Sequence, residues 1–183
     1  MSVDVKESIR KRRAYRALAP VEIDDELIHE LGESIRLPPS CFNKQPWRFV
    51  FVRSPEVLKK LHSSLSMNNR WVEAASLIIA VYSWKDLDCV LPGRDYYLFD
   101  TGMATAFLIL RATELGLVAH PIAGFDDKKV KAILQLPEEA TVIALVIVGK
   151  HTSLISSLLT AKQAEAEVTR PARKPIEELI SVR

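Results

Sequence analysis

The chain has 183 residues, of which 48% are hydrophobic, enough for one domain with a sizeable core. Its 25 basic and 23 acidic residues leave a formal net charge of +2, which does not support a nucleic-acid coat or a polybasic membrane anchor. Charges interrupt the N-terminal segment where a signal peptide would be apolar, and no apolar run approaches the roughly 20 residues of a membrane-spanning helix. We therefore expect a soluble, cytoplasmic protein with no nucleic-acid and no membrane partner.

Cysteine and histidine usage argues against a disulfide framework and a metal centre. The two cysteines, Cys41 and Cys89, are neither numerous nor closely spaced, so we expect reduced thiols. The four histidines show no spacing typical of metal ligands, so we expect no metal.

Two helices are predicted near the N-terminus. Residues 4–11 predict a short helix, and a second begins after Asp24 or Asp25, either of which is a suitable cap. Apolar residues recur at helical spacing through this second segment until Pro38 and Pro39 end it.

Strand and helix then alternate. Residues 47–52 predict a strand, residues 54–65 a helix with a Ser-Pro start, and residues 75–83 a second strand. This alternation indicates a domain that mixes helices with a sheet. The segment from Tyr82 to Asp95, with its proline and glycine, is expected to be a loop.

The helix predicted from Asp100 is the strongest in the sequence. From Met103 to Leu110 its only polar residue is Thr105, so it is apolar nearly all round. A monomer of this size can hardly enclose such a helix, which indicates a subunit interface.

The C-terminal third contains one more strand and helix before the composition changes. Residues 119–125 predict a short strand or loop, and a helix capped by Asp126 stops before Pro137. Residues 142–149 are apolar enough for the middle of a sheet. From Lys150 the mixed, partly apolar tail is expected to dock on something, with another subunit as the leading candidate.

Arginines cluster at the end of the first helix, where Arg10, Arg12, Arg13 and Arg16 lie within seven residues. Guanidinium groups match a phosphate bidentately, so several that converge suit a small anion. A solvated basic face is the alternative interpretation.

Two turns could contact a ligand. The polar turn at residues 38–47 offers short donors and acceptors on a proline-stiffened backbone, suited to the edge of a planar heterocycle, although a capped turn is the alternative. The small residues Ala123 and Gly124 would let backbone N–H groups approach a ligand. The nearby His120 is either a base or a structural residue. Neither a Rossmann fingerprint nor a P-loop is present.

Taken in order, these segments resemble the FMN-dependent nitroreductase family. The stretches "RRAYRAL", "PPSCFNKQPWRFVFV" and "DTGMATAFLILRATELGLVAHPIAGFD" are similar to its motifs in the same order and at similar spacing. The likeness runs from about residue 8 to residue 149 and resumes at residues 170–180.

The resemblance implies an α+β, nitroreductase-like fold with a mixed central sheet flanked by helices, assembled as an intertwined homodimer with FMN at the interface. Residues 1–150 would form the FMN-binding domain. Residues 151–183 would form a C-terminal extension of the same domain that docks on the partner subunit.

Site residues are carried over by the same resemblance. The FMN phosphate and ribityl end would contact Arg12, Arg13, Ala14 and Arg16, assisted by Arg173 or Lys174. The ring would lie against Pro39, Ser40, Cys41, Asn43 and Gln45. The ring edge would face Pro121, Ile122, Ala123 and Gly124, and Asn68 would contact the ribityl chain or the pyrimidine. The substrate pocket would be walled by Trp84, Tyr96 and Tyr97, for which ordinary core packing is the alternative.

The implied activity is hydride transfer from NAD(P)H through FMN to a nitroaromatic, quinone or similar small-molecule acceptor. No side chain need be catalytic, because the flavin carries the chemistry. The alternatives are a different flavin reaction on the same fold, such as flavin fragmentation or reductive dehalogenation, and a flavin-binding protein with little turnover.

Overall fold

The computed structural model describes residues 4–183, and residues 1–3 of the expected FMN-binding domain lie outside this range. Its α-helices are α1 (Val5–Lys11), α2 (Asp25–Arg36), α3 (Pro55–His62), α4 (Tyr96–Glu114), α5 (Asp127–Leu134) and α6 (Ala161–Val168). Its strands are β1 (Leu18–Ala19), β2 (Arg48–Val52), β3 (Leu77–Ser83), β4 (Val90–Leu91), β5 (Arg94–Asp95), β6 (Val118–Ile122) and β7 (Thr141–His151). Every helix and strand predicted up to residue 149 is present.

The main sheet is centred on β7, as its apolar sequence predicts. Strand β7 pairs with β3, which pairs in turn with β2, and β7 also pairs with β6 and with β1. Each of these pairings is antiparallel. The α+β class is confirmed, but the sheet within residues 4–183 is antiparallel where a mixed sheet was expected.

Alternate residues of β3 send their side chains to opposite faces of the sheet, which builds two cores. Ile78 and Ala80 belong to a core beneath α3 and α5, whereas Leu77, Ile79 and Val81 belong to a core beneath α2 and α4. The result is a sheet with helices on both faces.

Aspartate caps set the helix starts as the sequence predicts. The Asp24 carboxylate accepts from the Leu27 N–H at 2.7 Å, and the Asp126 carboxylate accepts from the Lys129 N–H at 3.1 Å. Each satisfies an N–H group that a helix terminus otherwise leaves without a partner.

The segment before α4 is more ordered than the predicted loop. Strands β4 and β5 form a hairpin that turns at Gly93, whose φ of +70° suits glycine. The helix therefore begins directly after β5, at Tyr96, rather than at Asp100.

Helix α4 is buried on one side only within a single chain. Ala104, Leu108 and Ala112 face the core, whereas Phe99 is 64% exposed and Phe107 is 41% exposed. The all-round burial expected from its apolar sequence is not achieved by the described chain alone.

The C-terminal extension divides into two parts. Helix α6 packs on its own chain, where the buried Glu167 accepts from the Arg16 and Ala17 N–H groups at 2.8 and 3.1 Å. Residues 171–183 are exposed throughout, and their docking on a partner subunit stays a prediction. None of the helices in residues 4–183 has the length and hydropathy needed to cross a membrane.

Candidate functional site

A basic cavity of about 490 Å³ lies between the N-terminal segment and α6. It is lined by Arg12, Arg13, Ala14, Arg16, Asn68, Thr160, Lys162, Gln163, Ala166, Arg170, Pro171 and Arg173. This lining, drawn from the described residues, contains six cationic side chains and no acidic one. Its charge suits an anion.

Two of these arginines hold the walls together. The Arg13 guanidinium donates to the Ala166 carbonyl at 2.6 Å, which ties the N-terminal segment to α6. The Arg170 guanidinium donates to the carbonyls of Arg10 and Arg12 at 2.6 and 3.0 Å. Arg13 and Arg170 therefore hold the cavity walls together and also contribute positive charge to the cavity.

Three other arginines supply charge that the protein itself does not neutralise. Arg12, Arg16 and Arg173 form no ion pair with any carboxylate in residues 4–183. Burial, and after it the charges of Arg173 and Arg170, lower the pKa of the Arg12 guanidinium below its ordinary value. A bound anion would offset the electrostatic repulsion between like charges held this close, and a dianionic phosphate fits this set of donors.

An aromatic pair lies beneath Arg16. The Arg16 guanidinium is 5.9 Å from the centroid of the Trp71 ring, which lies 4.8 Å from the His120 ring. The His120 Nδ1–H donates to the Tyr15 carbonyl at 3.0 Å. Burial lowers the pKa of His120 to about 4, although the Tyr15 carbonyl opposes the shift, and the charges of Arg16 and Arg12 lower it further. His120 is thus neutral at neutral pH, and its burial and its bond to the Tyr15 carbonyl favour the structural interpretation.

Gly124 packs tightly against residues 66–69. Its carbonyl accepts from the Ser66 N–H and the Asn69 side chain, both at 3.0 Å. A Cβ at Gly124 would lie 2.6 Å from Ser66 Oγ and 2.7 Å from Asn69 Nδ2, so a larger residue here would displace these two side chains. The neighbouring Asn68 carbonyl accepts from Gln163 at 2.8 Å, which places Asn68 at the basic cavity.

The remaining residues expected at the ring edge differ in exposure. Ile122 is buried in β6, while Pro121 and Ala123 are exposed. The side chain of Ile122 is therefore part of the core rather than a surface for a ligand.

The polar turn at residues 39–45 has an unusual backbone. Phe42, Asn43 and Gln45 have φ values of 49°, 57° and 49°, which non-glycine residues adopt only when the surroundings compensate. The Ser40 hydroxyl accepts from the Gln45 N–H at 2.9 Å and closes the turn. Pro39, together with Asn43 and Gln45, is exposed. Ser40 therefore organises the turn and leaves its tip accessible.

The turn is fastened covalently to the hairpin segment. Cys41 and Cys89 form a disulfide across 48 residues, so the expectation of reduced thiols is wrong for this structure. The Asp100 carboxylate accepts from the Cys41 N–H at 2.7 Å, and Lys44 donates to the Asp88 carbonyl at 3.0 Å. Cys41 therefore anchors the turn.

Asp88 is a buried carboxyl beside this disulfide. Burial raises its pKa, which the Cys89 N–H opposes and the nearby Asp100 carboxyl reinforces.

The three aromatic residues expected in a substrate pocket do not share one cavity. Tyr96 lines a cavity of about 320 Å³ with Arg94, Asp95 and Phe99. Trp84 and Tyr97 are half-buried and do not line it. The Trp84 and Tyr82 ring centroids lie 6.4 Å apart, so Trp84 packs against an aromatic neighbour, and its place in a substrate pocket stays a prediction.

The expected flavin contacts fall into three groups within one chain, at the basic cavity, in the turn at 39–45 and at residues 121–124. The N-terminal arginines, Ala14, Asn68 and Arg173 meet at the basic cavity, whereas no residue of the turn at 39–45 lines it. Between the two tail cations, Arg173 lies at the cavity, while Lys174 pairs with Glu178 at 3.2 Å.

Sequence reasoning missed α6 and the cavity residues it brings. Thr160 and Gln163 form a reciprocal capping box at the start of this helix. That Thr-x-x-Gln spacing is the readable signal for a helix start. No local pattern identifies the role of Arg170, since it acts through carbonyls about 160 residues away.

Comparison with known proteins places this geometry in a family. The model of the Nitroreductase family matches residues 9–150, most of the chain. The chain belongs to the nitroreductase family. The match spans the arginine segment, the polar turn, α4 and all of the main sheet except His151.

Individual relatives of this family agree in sequence and fold. A protein of Thermus thermophilus named NADH dehydrogenase is 27% identical over 180 residues, covering 80% of this chain and 86% of that protein. A crystal structure described as an oxidoreductase containing FMN is 26% identical with a TM-score of 0.82, covering 99% and 91% of the two chains. The nitroreductase family protein of Streptococcus pneumoniae is 22% identical with a TM-score of 0.80, covering 98% and 100%, and supports the fold.

Proposed function

We propose that this chain, an NAD(P)H-dependent FMN oxidoreductase of the nitroreductase family, reduces a nitroaromatic, quinone or similar small-molecule acceptor. Family membership carries the general activity. The oxidoreductase containing FMN and the NADH dehydrogenase among its relatives support the cofactor and the reductant.

One observation supports the cofactor site above all others, namely the basic cavity. Arg12, Arg16 and Arg173 converge there with no ion pair in the described chain, and Asn68 adds a polar side chain. A phosphate with two negative charges would satisfy arginines that otherwise repel one another. The FMN phosphate and ribityl chain are the natural occupants.

FMN, when bound, supplies the relay that accepts a hydride from NAD(P)H and passes reducing equivalents to the acceptor. The chain contributes binding and orientation. Arg12 and Arg16 would hold the phosphate, and the accessible tip of the turn at 39–45 would line the ring. Positive charge around the site would stabilise the negative charge of a reduced flavin.

No acid or base from the chain is assigned to the reaction. The obvious candidate, His120, is buried, donates to the Tyr15 carbonyl and has a pKa of about 4. It is therefore neutral near neutral pH, and its ring packs against Trp71 beside Arg16.

We also propose that the working unit is a homodimer. The basic cavity and the turn at 39–45 lie apart within one chain, and a two-fold partner could bring one chain's turn to the other's cavity. Phe42 is 92% exposed in the turn, and Phe99 and Phe107 are exposed on α4. Apolar exposure of this kind marks an interaction surface.

Steady-state oxidation of NADH and NADPH, with menadione or nitrofurazone as acceptor, tests the proposed activity. Rapid turnover with bound FMN is expected. The Arg12→Ala/Arg16→Ala double variant, freed of flavin, is the matched control and should be inactive until FMN is supplied in excess. Reduction of the flavin without turnover on either acceptor would contradict the proposal and favour a different flavin reaction.

A further inference from the structure

The region around Cys41, Asp88 and Cys89 has the composition of a metal site. The two sulfurs and one carboxylate oxygen of Asp88 lie within 4.8 Å of one another. Two thiolates with a carboxylate suit a thiophilic divalent cation, for which Zn²⁺ is the common biological choice.

The buried carboxylate supplies an independent observation. Asp88 is 1% exposed, and its Oδ2 atom meets no N–H or hydroxyl donor among the described residues, although the neighbouring Asp100 carboxyl lies close enough to share a proton with Asp88. Its other oxygen accepts from the Cys89 N–H at 2.7 Å, which fixes the carboxylate beside the sulfurs. Buried polar atoms in proteins normally have a partner, and a bound cation would provide one for this oxygen.

We propose that, once the Cys41–Cys89 disulfide is reduced, the two thiolates and the Asp88 carboxylate bind one Zn²⁺ ion. The disulfide form excludes the metal because each sulfur is bonded to the other. The site is thus governed by the redox state of the pair.

The cysteines would stay together after reduction because two other contacts join their segments. Asp100 accepts from the Cys41 N–H, and Lys44 donates to the Asp88 carbonyl. Around a tetrahedral zinc the two sulfurs would lie about 3.8 Å apart, a separation that side-chain rotation can supply. Both cysteines are partly exposed within a single chain, which gives a reductant and an ion access to them there.

The chemistry balances with a phosphine as reductant. Tris(carboxyethyl)phosphine is oxidised to its phosphine oxide by taking the oxygen of water, and the two protons of that water complete the two thiols as the S–S bond breaks. Zn²⁺ then replaces the thiol protons, which are released to solvent. No other oxidant or reductant is required.

The test compares one chain in two redox states. Protein treated with the phosphine and then freed of it, and untreated disulfide protein, are titrated anaerobically with Co²⁺ and then with Zn²⁺. We expect thiolate-to-cobalt charge-transfer absorption in the reduced protein alone, saturating at one ion per chain and lost as Zn²⁺ replaces Co²⁺. Absence of this absorption from the reduced protein, or equal binding by both forms, would overturn the proposal.

Variants identify the ligands. Asp88→Asn should weaken Zn²⁺ binding by the reduced protein at least about tenfold. The matched control is Asp86→Asn, at an exposed carboxylate two residues away, which should bind Zn²⁺ as the unaltered chain does. Equal affinity in Asp88→Asn and the control would remove Asp88 from the site. Cys41→Ser should abolish the charge-transfer absorption, and its persistence would place the ion elsewhere. If Asp88→Asn does not fold, the comparison of the two redox states still decides the proposal.

Discussion

His120 should make the free energy of unfolding depend on pH between about 4 and 6.5. The imidazole is 6% exposed, and its pKa falls from 6.5 to about 4 on folding. Between these values the unfolded chain binds a proton that the folded chain does not, so this contribution lowers stability as pH falls from 6.5 toward 4. Above pH 6.5 the group is neutral in both states and imposes no such cost.

The size of the effect follows from the two pKa values. A histidine with pKa 6.5 unfolded and about 4 folded should cost the protein about 2 kcal/mol at pH 5 relative to pH 7. Urea unfolding of the unaltered chain and of His120→Asn at both pH values isolates this contribution. The variant keeps a side-chain N–H for the Tyr15 carbonyl but cannot titrate.

The comparison has an internal background and a control. Burial also lowers the pKa of His62, so both proteins should lose some stability in acid. Between pH 7 and pH 5 the free energy of unfolding of the unaltered chain should fall by about 2 kcal/mol more than that of His120→Asn. His29→Asn, at an exposed position on α2, controls for the loss of an imidazole as such. An equal loss in the unaltered chain and His120→Asn would refute the account of His120 as a buried, neutral residue.

Three further predictions concern covalent and subunit structure. Replacing both Cys41 and Cys89 with serine should lower the free energy of unfolding by about 4 kcal/mol, because the disulfide closes 48 residues of chain. Urea unfolding of this variant and of the oxidised, unaltered protein checks this, and an equal midpoint for the two would contradict it. Light scattering at low micromolar concentration should show the mass of a dimer, whose interface we expect to exceed roughly 2,000 Å². A monomer of 20.6 kDa would disprove the proposed assembly. Deleting residues 169–183 should weaken both the dimer and the retention of FMN. The shorter deletion of residues 175–183 spares Arg170 and Arg173, so this variant should retain more FMN. An unchanged dimer and unchanged flavin content in the longer deletion would refute the role of the tail.

Features that depend on neighbouring residues were predictable from the sequence. The Asp24 and Asp126 caps, the apolar run in β7 and the arginine cluster are each visible within a short window. Local hydrogen bonds and side-chain periodicity determine these features. The clustering of Arg12, Arg13 and Arg16 at one cavity was likewise expected, since they lie within five residues of chain.

Features that depend on distant residues were not predictable. The sequence could not pair Cys41 with Cys89, because their spacing carries no signal until the fold brings the two segments together. The antiparallel direction of every main-sheet pairing depends on how the strands are connected. Burial of Asp88 and the carbonyl contacts of Arg170 also arise from tertiary structure alone.

The central claim, that the basic cavity holds the FMN phosphate, is tested most directly by comparing two flavins. FMN and riboflavin differ by that phosphate, and both can be titrated by flavin fluorescence into the unaltered chain, Arg12→Ala and Arg16→Ala. Arg53→Ala, which removes an exposed arginine paired with Asp25, is the matched control and should bind both flavins normally.

Each charge-assisted contact contributes on the order of 1.5 to 3 kcal/mol, so Arg12→Ala or Arg16→Ala should weaken FMN binding by roughly ten- to more than a hundredfold. Riboflavin binding should fall far less in the same variants. Equal losses for the two flavins, or an FMN affinity that changes no more than in Arg53→Ala, would contradict the assignment of these arginines to the phosphate.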